Sequence, residues 1–245
     1  MIILNADDVG RSRSETEAAM SCYARGRITA ATAMVFMADS ERAAELVRGT
    51  GLDVGLHLNL DESFTAREVH PVLRRYHESI ARFLKCQKYS LLVYHPLLRQ
   101  KIGSVYRAQE NEFMRLYGKP PSHVDGHHHL HLCTNMLIDR VIPADYQVRR
   151  SFTLCRGEGG WLSRTYRHWL DQWLQRRYLL TDGFFSLRQC LEARTLDRII
   201  EWSKTAKVEL MTHPCNALEY DFLMGDRFDE VFAGVELGDF SARPE

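Results

Sequence analysis

Short apolar runs alternate with helical patterns along this 245-residue chain, and this alternation limits the possible folds more than any other feature. Residues 2–5, 54–60 and 208–212 have the length and composition of buried strands, and amphipathic stretches follow the first two. Strands that alternate with helices usually form a parallel sheet. The pattern predicts an α/β fold. A distorted, TIM-like (β/α) barrel with mostly parallel strands is the first choice, and an open doubly wound sheet is the alternative.

The remaining elements are predicted from the same patterns. Further strands are expected at residues 29–37 and 146–149 and before residue 127. Helices are expected at residues 14–25, 40–48, 161–180 and 191–204, between 69 and 117 with an interruption at Pro96, and within 228–237. No repeat or Gly/Ser-rich linker divides the chain, so residues 1–245 are expected to form a single domain.

The charge balance and the cysteines exclude several classes of protein. Lys plus Arg and Asp plus Glu both number 32, so no net charge favours nucleic acid or an anionic membrane as a partner. The chain begins without a signal-peptide pattern and contains no run of the ~20 apolar residues that a membrane span requires. Its six cysteines are scattered, without a Cys-x-x-Cys pair. We therefore expect a cytoplasmic protein with reduced thiols.

The densest chemical signal lies at residues 123–131, where five of the eleven histidines occur within nine residues. In an extended segment, the odd-numbered polar residues would project from one face: His123, Asp125, His127, His129 and His131. This density favours a metal or proton-transfer site over a solvated loop. One or two of the imidazoles are expected to bind the ion, while the others, with Asp125, could orient ligands or contact substrate.

Three further polar groups stand in or after predicted strands. Asp7-Asp8 follows the first strand, His57 lies within the third and His213 follows the last. Because the carboxyl ends of parallel strands share one edge, these groups and the histidine cluster can meet in one site.

The acidic pair could supply one metal ligand and one general base, or cap a helix. Alone, His57 would be interpreted as a buried, hydrogen-bonded residue. His213 could be a general acid or a packed strand-end residue. Asp, His and His with open coordination positions favour a catalytic ion that hydrolyses an amide or ester.

The motifs together resemble the YdjC/ChbG-type carbohydrate deacetylases. The resemblance rests on four segments in order, Asn5-Ala6-Asp7-Asp8-Val9-Gly10, Gly55-Leu56-His57-Leu58, the run from His123 to His131, and Thr212-His213-Pro214. It implies a distorted (β/α) barrel that removes an N-acetyl group from an amino sugar, typically a chitooligosaccharide. By position, Asp8, His57 and His127 are implied as metal ligands, Asp7 as the base and His213 as the group that protonates the amine. Arg149 or Arg150 could hold the base or the substrate.

This sequence departs from the family pattern in the segment after the third strand. Residues 61–71 lack the Gly- and Pro-containing loop expected there, which leaves the sugar undetermined. One divalent ion, Mg²⁺ or Zn²⁺, is expected as the cofactor, and an acetylated saccharide as the partner; a homodimer is also possible. Two alternatives remain, a multi-metal phosphoesterase on a histidine-rich barrel and an inactive saccharide-binding relative.

Overall fold

Six parallel strands form the centre of the computed structural model, which describes residues 1–87, 89–153 and 160–241. The strands are β1 (Ile2–Val9), β2 (Ala30–Ala33), β3 (Asp53–Leu58), β4 (Val124–Gly126), β5 (Gly183–Ser186) and β6 (Val208–Thr212). Their order in the sheet is β4-β3-β2-β1-β6-β5, so the first strand lies at the centre. The strands form a curled half-barrel, which confirms the predicted distorted α/β barrel.

Helices connect the strands and surround the sheet. They are α1 (Arg13–Ala24), α2 (Ser40–Val47), α3 (Pro71–Cys86), α4 (Arg99–Tyr117), α5 (Thr134–Ile138), α6 (Trp161–Gln175), α7 (Leu187–Ala193), α8 (Leu196–Ser203), α9 (Ala217–Met224) and α10 (Asp226–Val231). Short 3₁₀ helices occur at Ser90–Leu92, Pro96–Leu98 and His127–Leu132. No helix in the described ranges combines the length and the hydropathy of a membrane span.

Residues 146–153 link the two edges of the sheet. Val124 N donates to Gln147 O over 2.8 Å, and Val148 N donates to Leu179 O over 2.9 Å. Further along, Thr153 N donates to Phe184 O in β5 over 2.9 Å. The predicted strand at 146–149 therefore forms only isolated bridges, but it lies between β4 and the chain that leads into β5.

The strand register brings the polar residues to one edge of the sheet. Ala6 pairs with Thr212, so Asp7 and His213 follow neighbouring positions on β1 and β6. His57 on β3 pairs with Asp125 on β4. All described strand residues are buried, and apolar side chains dominate, as is usual for strands covered on both faces. The buried polar exceptions include Asp7, Asp8, His57, Asp125 and Glu209, which lie in the candidate site described below.

Several predicted elements differ from the structure. The strand expected at 29–37 is limited to Ala30–Ala33, and the helix expected at 161–180 ends at Gln175. The helix expected at 191–204 is two helices, because Arg194 has a left-handed φ of 55° between them. The last helix begins at Asp226 rather than within 228–237, and β5 and α9 were not predicted.

Candidate metal centre and its carboxylate network

Asp8, His57 and His127 converge at the carboxyl ends of β1, β3 and β4. Asp8 Oδ1 lies 3.2 Å from His57 Nε2 and 3.0 Å from His127 Nδ1. One ligand atom from each residue lies within 4.8 Å of the other two, and all three residues are buried. The structure therefore brings together the three residues that the family resemblance implied as metal ligands.

The backbone conformation at Asp8 explains why the adjacent Asp7 and Asp8 contact different partners. Asp8 has a left-handed φ of 67°, and the pairing of β1 with β2 shifts register between Ala6 and Val9. Asp tolerates this conformation better than most residues, and such irregularities often re-aim side chains beside active sites. Asp8 consequently faces the two imidazoles, whereas Asp7 faces a different partner.

The donor set fits a divalent cation. A carboxylate and two imidazole nitrogens are ligands that Zn²⁺, Co²⁺ and Mn²⁺ accept. His127 Nε2 is buried and lies 3.0 Å from Glu62 Oε2, without a well-aligned hydrogen bond to it. Burial opposes ionisation of Asp8, but hydrogen bonds from both histidines outweigh it and lower the pKa of the carboxyl. An ionised oxygen close to two ring nitrogens is the electrostatic environment that a cation would complete.

Asp125 holds His57 from the side opposite Asp8. His57 Nδ1 lies 2.7 Å from Asp125 Oδ1, and Thr32 Oγ1 donates to Asp125 Oδ2 over 3.0 Å. Burial disfavours a charged imidazole, but the Asp125 carboxylate reverses this effect and raises the pKa of His57. A carboxylate on the remote nitrogen is the usual support of a metal-binding histidine. The structure therefore places Asp125 where the sequence analysis expected a residue that orients a ring.

Asp7 is bound by Arg149. Two guanidinium nitrogens, Nη1 and Nη2, donate to Asp7 Oδ2 and Oδ1, each over 2.7 Å. Asn5 Nδ2 also donates to Asp7 Oδ1 over 2.8 Å. Burial by itself raises the pKa of Asp7, but Arg149 outweighs it and the pKa is lowered. Of the two arginines considered from the sequence, Arg149 contacts Asp7, while Arg150 binds Asp171 over 2.5 Å.

Arg149 connects three buried carboxylates. Besides Asp7, its Nη1 lies 2.7 Å from Asp125 Oδ2, and its Nε donates to Glu209 Oε1 over 2.7 Å. One guanidinium cannot neutralise three carboxylates. Burial is the main cause that raises the pKa of Glu209 to about 7, and Asp125 and Asp7 add to it against the opposing Arg149.

Glu62 and Arg11 extend the site beyond the predicted residues. His127 Nε2 lies 3.0 Å from Glu62 Oε2. Arg11 Nε donates to both Glu62 oxygens, over 3.0 and 2.9 Å. Glu62 follows β3 in the acidic pair Asp61-Glu62, which resembles the pair Asp7-Asp8 near the end of β1, so the sequence contained a signal for it.

The strand expected to lead into the histidine cluster is β4, and it ends at Gly126, so the extended conformation considered for residues 123–131 does not continue past that residue. His127–Leu132 is a 3₁₀ segment in which His128 and His129 have left-handed φ values of 52° and 58°. The odd-numbered residues therefore do not share one face, because the period of two applies only within a strand.

The remaining histidines of the cluster have separate surroundings. His123 Nε2 lies 3.1 Å from Asn5 Oδ1, and His131 Nε2 donates to the Arg149 carbonyl over 3.0 Å. Burial lowers the pKa of both rings to about 4. His129 packs edge-on against Phe152 at 4.6 Å, and burial lowers its pKa to about 3. The structure therefore places none of these three in the Asp8 cluster.

His213 follows β6 at the level of Asp7. Its backbone N–H donates to Glu219 Oε2 over 2.9 Å, and its side chain is 39 % exposed. Burial raises the pKa of Glu219, and hydrogen bonds from the residues at the end of β6 oppose this effect. The strand register therefore places the His213 backbone beside the end of β1, and its imidazole Nδ1 lies 4.0 Å from Glu219 Oε1.

Comparison with known proteins identifies the family to which this chain is similar. The family model described as YdjC-like protein matches residues 1–233. A chitooligosaccharide deacetylase of Proteus mirabilis is 32 % identical over 133 residues, which cover 54 % of this chain and 50 % of that protein. A human carbohydrate deacetylase is 28 % identical over 247 residues, covering 87 % of this chain and 74 % of the relative. The bacterial deacetylase matches span about half the length of those relatives.

A solved structure has a similar fold. A protein of Enterococcus faecalis V583, provisionally assigned as a cellobiose-phosphate cleavage protein, aligns with a TM-score of 0.69. The alignment covers 98 % of this chain and 97 % of that one at 17 % identity, so it supports the fold alone. Because the family model matches residues 1–233 of the 245-residue chain, the chain belongs to the YdjC-like protein family.

Proposed function

We propose that this chain is a metal-dependent carbohydrate deacetylase that removes the N-acetyl group from a small amino sugar or chitooligosaccharide. The observation that carries the proposal is the convergence of Asp8, His57 and His127 beside an arginine-bound Asp7. The names of the relatives, which are chitooligosaccharide and carbohydrate deacetylases, support the substrate class.

Asp8, His57 and His127 would hold the ion. A divalent ion at these ligands would polarise the acetyl carbonyl and acidify a water molecule. Asp125 fixes the orientation of His57 through the contact at Nδ1, and Glu62 lies against His127. These partners supply the ligand orientation on which metal affinity depends.

Asp7 would serve as the base. Its lowered pKa keeps the carboxylate ionised at neutral pH, so it can accept a proton from the attacking water. Arg149 binds both of its oxygens and so fixes the side chain in one orientation. His213 would donate a proton to the leaving amine as the amide C–N bond breaks, and the products are acetate and the free amino sugar.

Acetate release from N-acetylglucosamine oligomers, measured with Zn²⁺, Co²⁺, Mn²⁺ or Mg²⁺, tests the proposal. Turnover is expected with at least one of these ions and should stop on chelation. Asp7→Asn should lower kcat at least 100-fold while the folded protein keeps its ion. Asp221→Asn, at an exposed position of α9, is the matched control and should retain wild-type turnover. Saccharide binding without acetate release under every ion would instead support the inactive relative.

A second group of metal-ligand residues keeps the phosphoesterase alternative testable. Asp61, His127 and His128 also have ligand atoms within 4.8 Å of one another, and His127 belongs to both groups. Metal content of the purified protein distinguishes the alternatives. One ion per chain supports the deacetylase, whereas two or three ions with hydrolysis of a phosphate monoester would contradict it.

A further inference from the structure

An apolar groove lies beside the candidate metal centre, and neither the sequence motifs nor the proposed chemistry explains it. It has a volume of about 320 Å³, within the range of small-molecule sites. The apolar groove is defined by six side chains, Leu91, Leu130, Leu132, Phe152, Tyr166 and Leu170.

The apolar groove begins next to the metal centre. His128 and His129 line it, and they directly follow His127 in the chain. The His127 and His128 rings are 4.0 Å apart between centroids. The groove therefore begins beside His127, and a substrate held at the candidate metal centre could extend toward it.

The lining suits a hydrocarbon better than a second sugar. The described residues of the groove include no Asp, Glu, Asn or Gln. Its other polar side chains have partners within the protein: Ser151 Oγ donates to Asp171 Oδ1 over 2.9 Å, His128 Nδ1 lies 2.9 Å from Asp61 Oδ2, and His129 packs against Phe152. Its two arginines are already engaged, because Arg150 binds Asp171 and Arg167 donates to the Phe152 carbonyl over 2.9 Å. Hydroxyl groups buried there would lose hydrogen bonds to water without replacing them, whereas an apolar chain would lose none.

The rim of the groove is also apolar. Tyr166 is 42 % exposed, and Leu162 and Trp169 lie on the same face of α6 with exposures of 66 % and 63 %. Across the groove, Leu91 is followed by the exposed Leu92. Contiguous exposed apolar side chains generally mark a surface that binds a ligand or partner.

We infer that the apolar groove binds the aglycone of the substrate, and that the substrate class is an N-acetylated amino sugar linked to an alkyl or other lipid-like group. The inference rests on the proposed function, because it places the acetylated sugar at the metal centre. The continuity between His127, His128 and the groove carries it.

The test compares two substrates with the same sugar, octyl and methyl N-acetyl-β-glucosaminide, both below the critical micelle concentration. The octyl glycoside is expected to have a kcat/KM for acetate release at least 10-fold higher, mainly through a lower KM. Tyr166→Ser and Leu91→Ser should each reduce the ratio of the octyl to the methyl kcat/KM at least 5-fold. Neither variant should change the kcat/KM of the methyl glycoside. Leu218→Ser, at an exposed apolar position on α9, is the matched control and should retain the preference.

Equal kcat/KM values for the two glycosides would overturn the inference and leave the proposed function intact. If neither glycoside nor any N-acetylglucosamine oligomer releases acetate, the proposed function fails, and calorimetric binding of the octyl glycoside tests the groove alone. Binding that Tyr166→Ser abolishes would support the groove. A dimer in sedimentation that Tyr166→Ser dissociates would show that a second copy covers this surface, and would overturn the inference.

Discussion

Replacing Glu209 with glutamine tests how the buried charges around Arg149 are balanced. Glu209 is fully buried, and its pKa is raised to about 7 from an ordinary value of 4.5. The folded protein therefore keeps a proton on this carboxyl that the unfolded chain releases between pH 4.5 and 7. Because the folded state binds the extra proton, this contribution to stability is present at low pH and is lost as the pH rises through that window.

The size of the effect follows from the pKa difference. One pKa unit corresponds to about 1.4 kcal/mol, so the full effect is about 3 kcal/mol and the change between pH 5 and 7.5 is about 2 kcal/mol. Glutamine keeps an oxygen that can accept from Arg149 Nε but does not titrate. The unfolding free energy of Glu209→Gln minus that of the wild type should therefore be about 2 kcal/mol larger at pH 7.5 than at pH 5.

Urea unfolding of chelator-treated protein at the two pH values measures this difference. Burial also lowers the pKa of three histidines, His77, His123 and His131, to about 4. Their contribution to the unfolding free energy decreases as the pH falls, which is the opposite trend. This effect is common to both proteins and cancels in their difference. Glu201→Gln, on an exposed part of α8, is the control. If the difference in unfolding free energy between the wild type and Glu209→Gln is the same at both pH values, the reasoning is refuted.

Three further predictions concern the ligands and the strands that position them. Glu62→Gln should weaken metal binding 10- to 100-fold in calorimetry, because Glu62 Oε2 lies 3.0 Å from His127 Nε2 and would help to orient the ring; an unchanged affinity would contradict this role. Zn²⁺ at 100 times its Kd should stabilise the wild-type protein by about 2.7 kcal/mol in thermal unfolding, and His57→Gln should lose most of that increase. Gly55→Ala should destabilise the protein by about 1–3 kcal/mol in urea, because the added Cβ would lie 2.5 Å from the His123 carbonyl oxygen.

The strands that carry the proposed metal ligands could be predicted because their sequences are locally unambiguous. The apolar runs that became β1, β3 and β6 each contain or directly precede a polar residue of the candidate site. Because parallel strands share an edge, Asp8, His57 and His213 could be expected at one rim of the sheet. Glu209 also had a signal, since it is a single charged residue between Val208 and Leu210.

Other features depended on contacts that a local pattern does not contain. β5 has only four residues, and its identity depends on pairing with β6 rather than on its own length. The break at Arg194 occurs without Gly or Pro, so periodicity alone joined the two helices. His128 and His129 likewise adopt left-handed φ values although neither is a glycine, so the sequence contains no sign of this turn.

The contrast between Asp7 and Asp8 shows how one strand can serve two chemical roles. In a regular strand, these neighbours would point to opposite faces, and neither orientation would be adjusted to its partner. The register shift and the left-handed φ at Asp8 instead aim it at two imidazoles, while Asp7 remains against Arg149. Each carboxylate thus has its own partners, and these lower the pKa of both groups although they are adjacent and buried. Two ionised neighbours with separate partners are what a site needs when one carboxylate is to bind an ion and the other is to accept a proton.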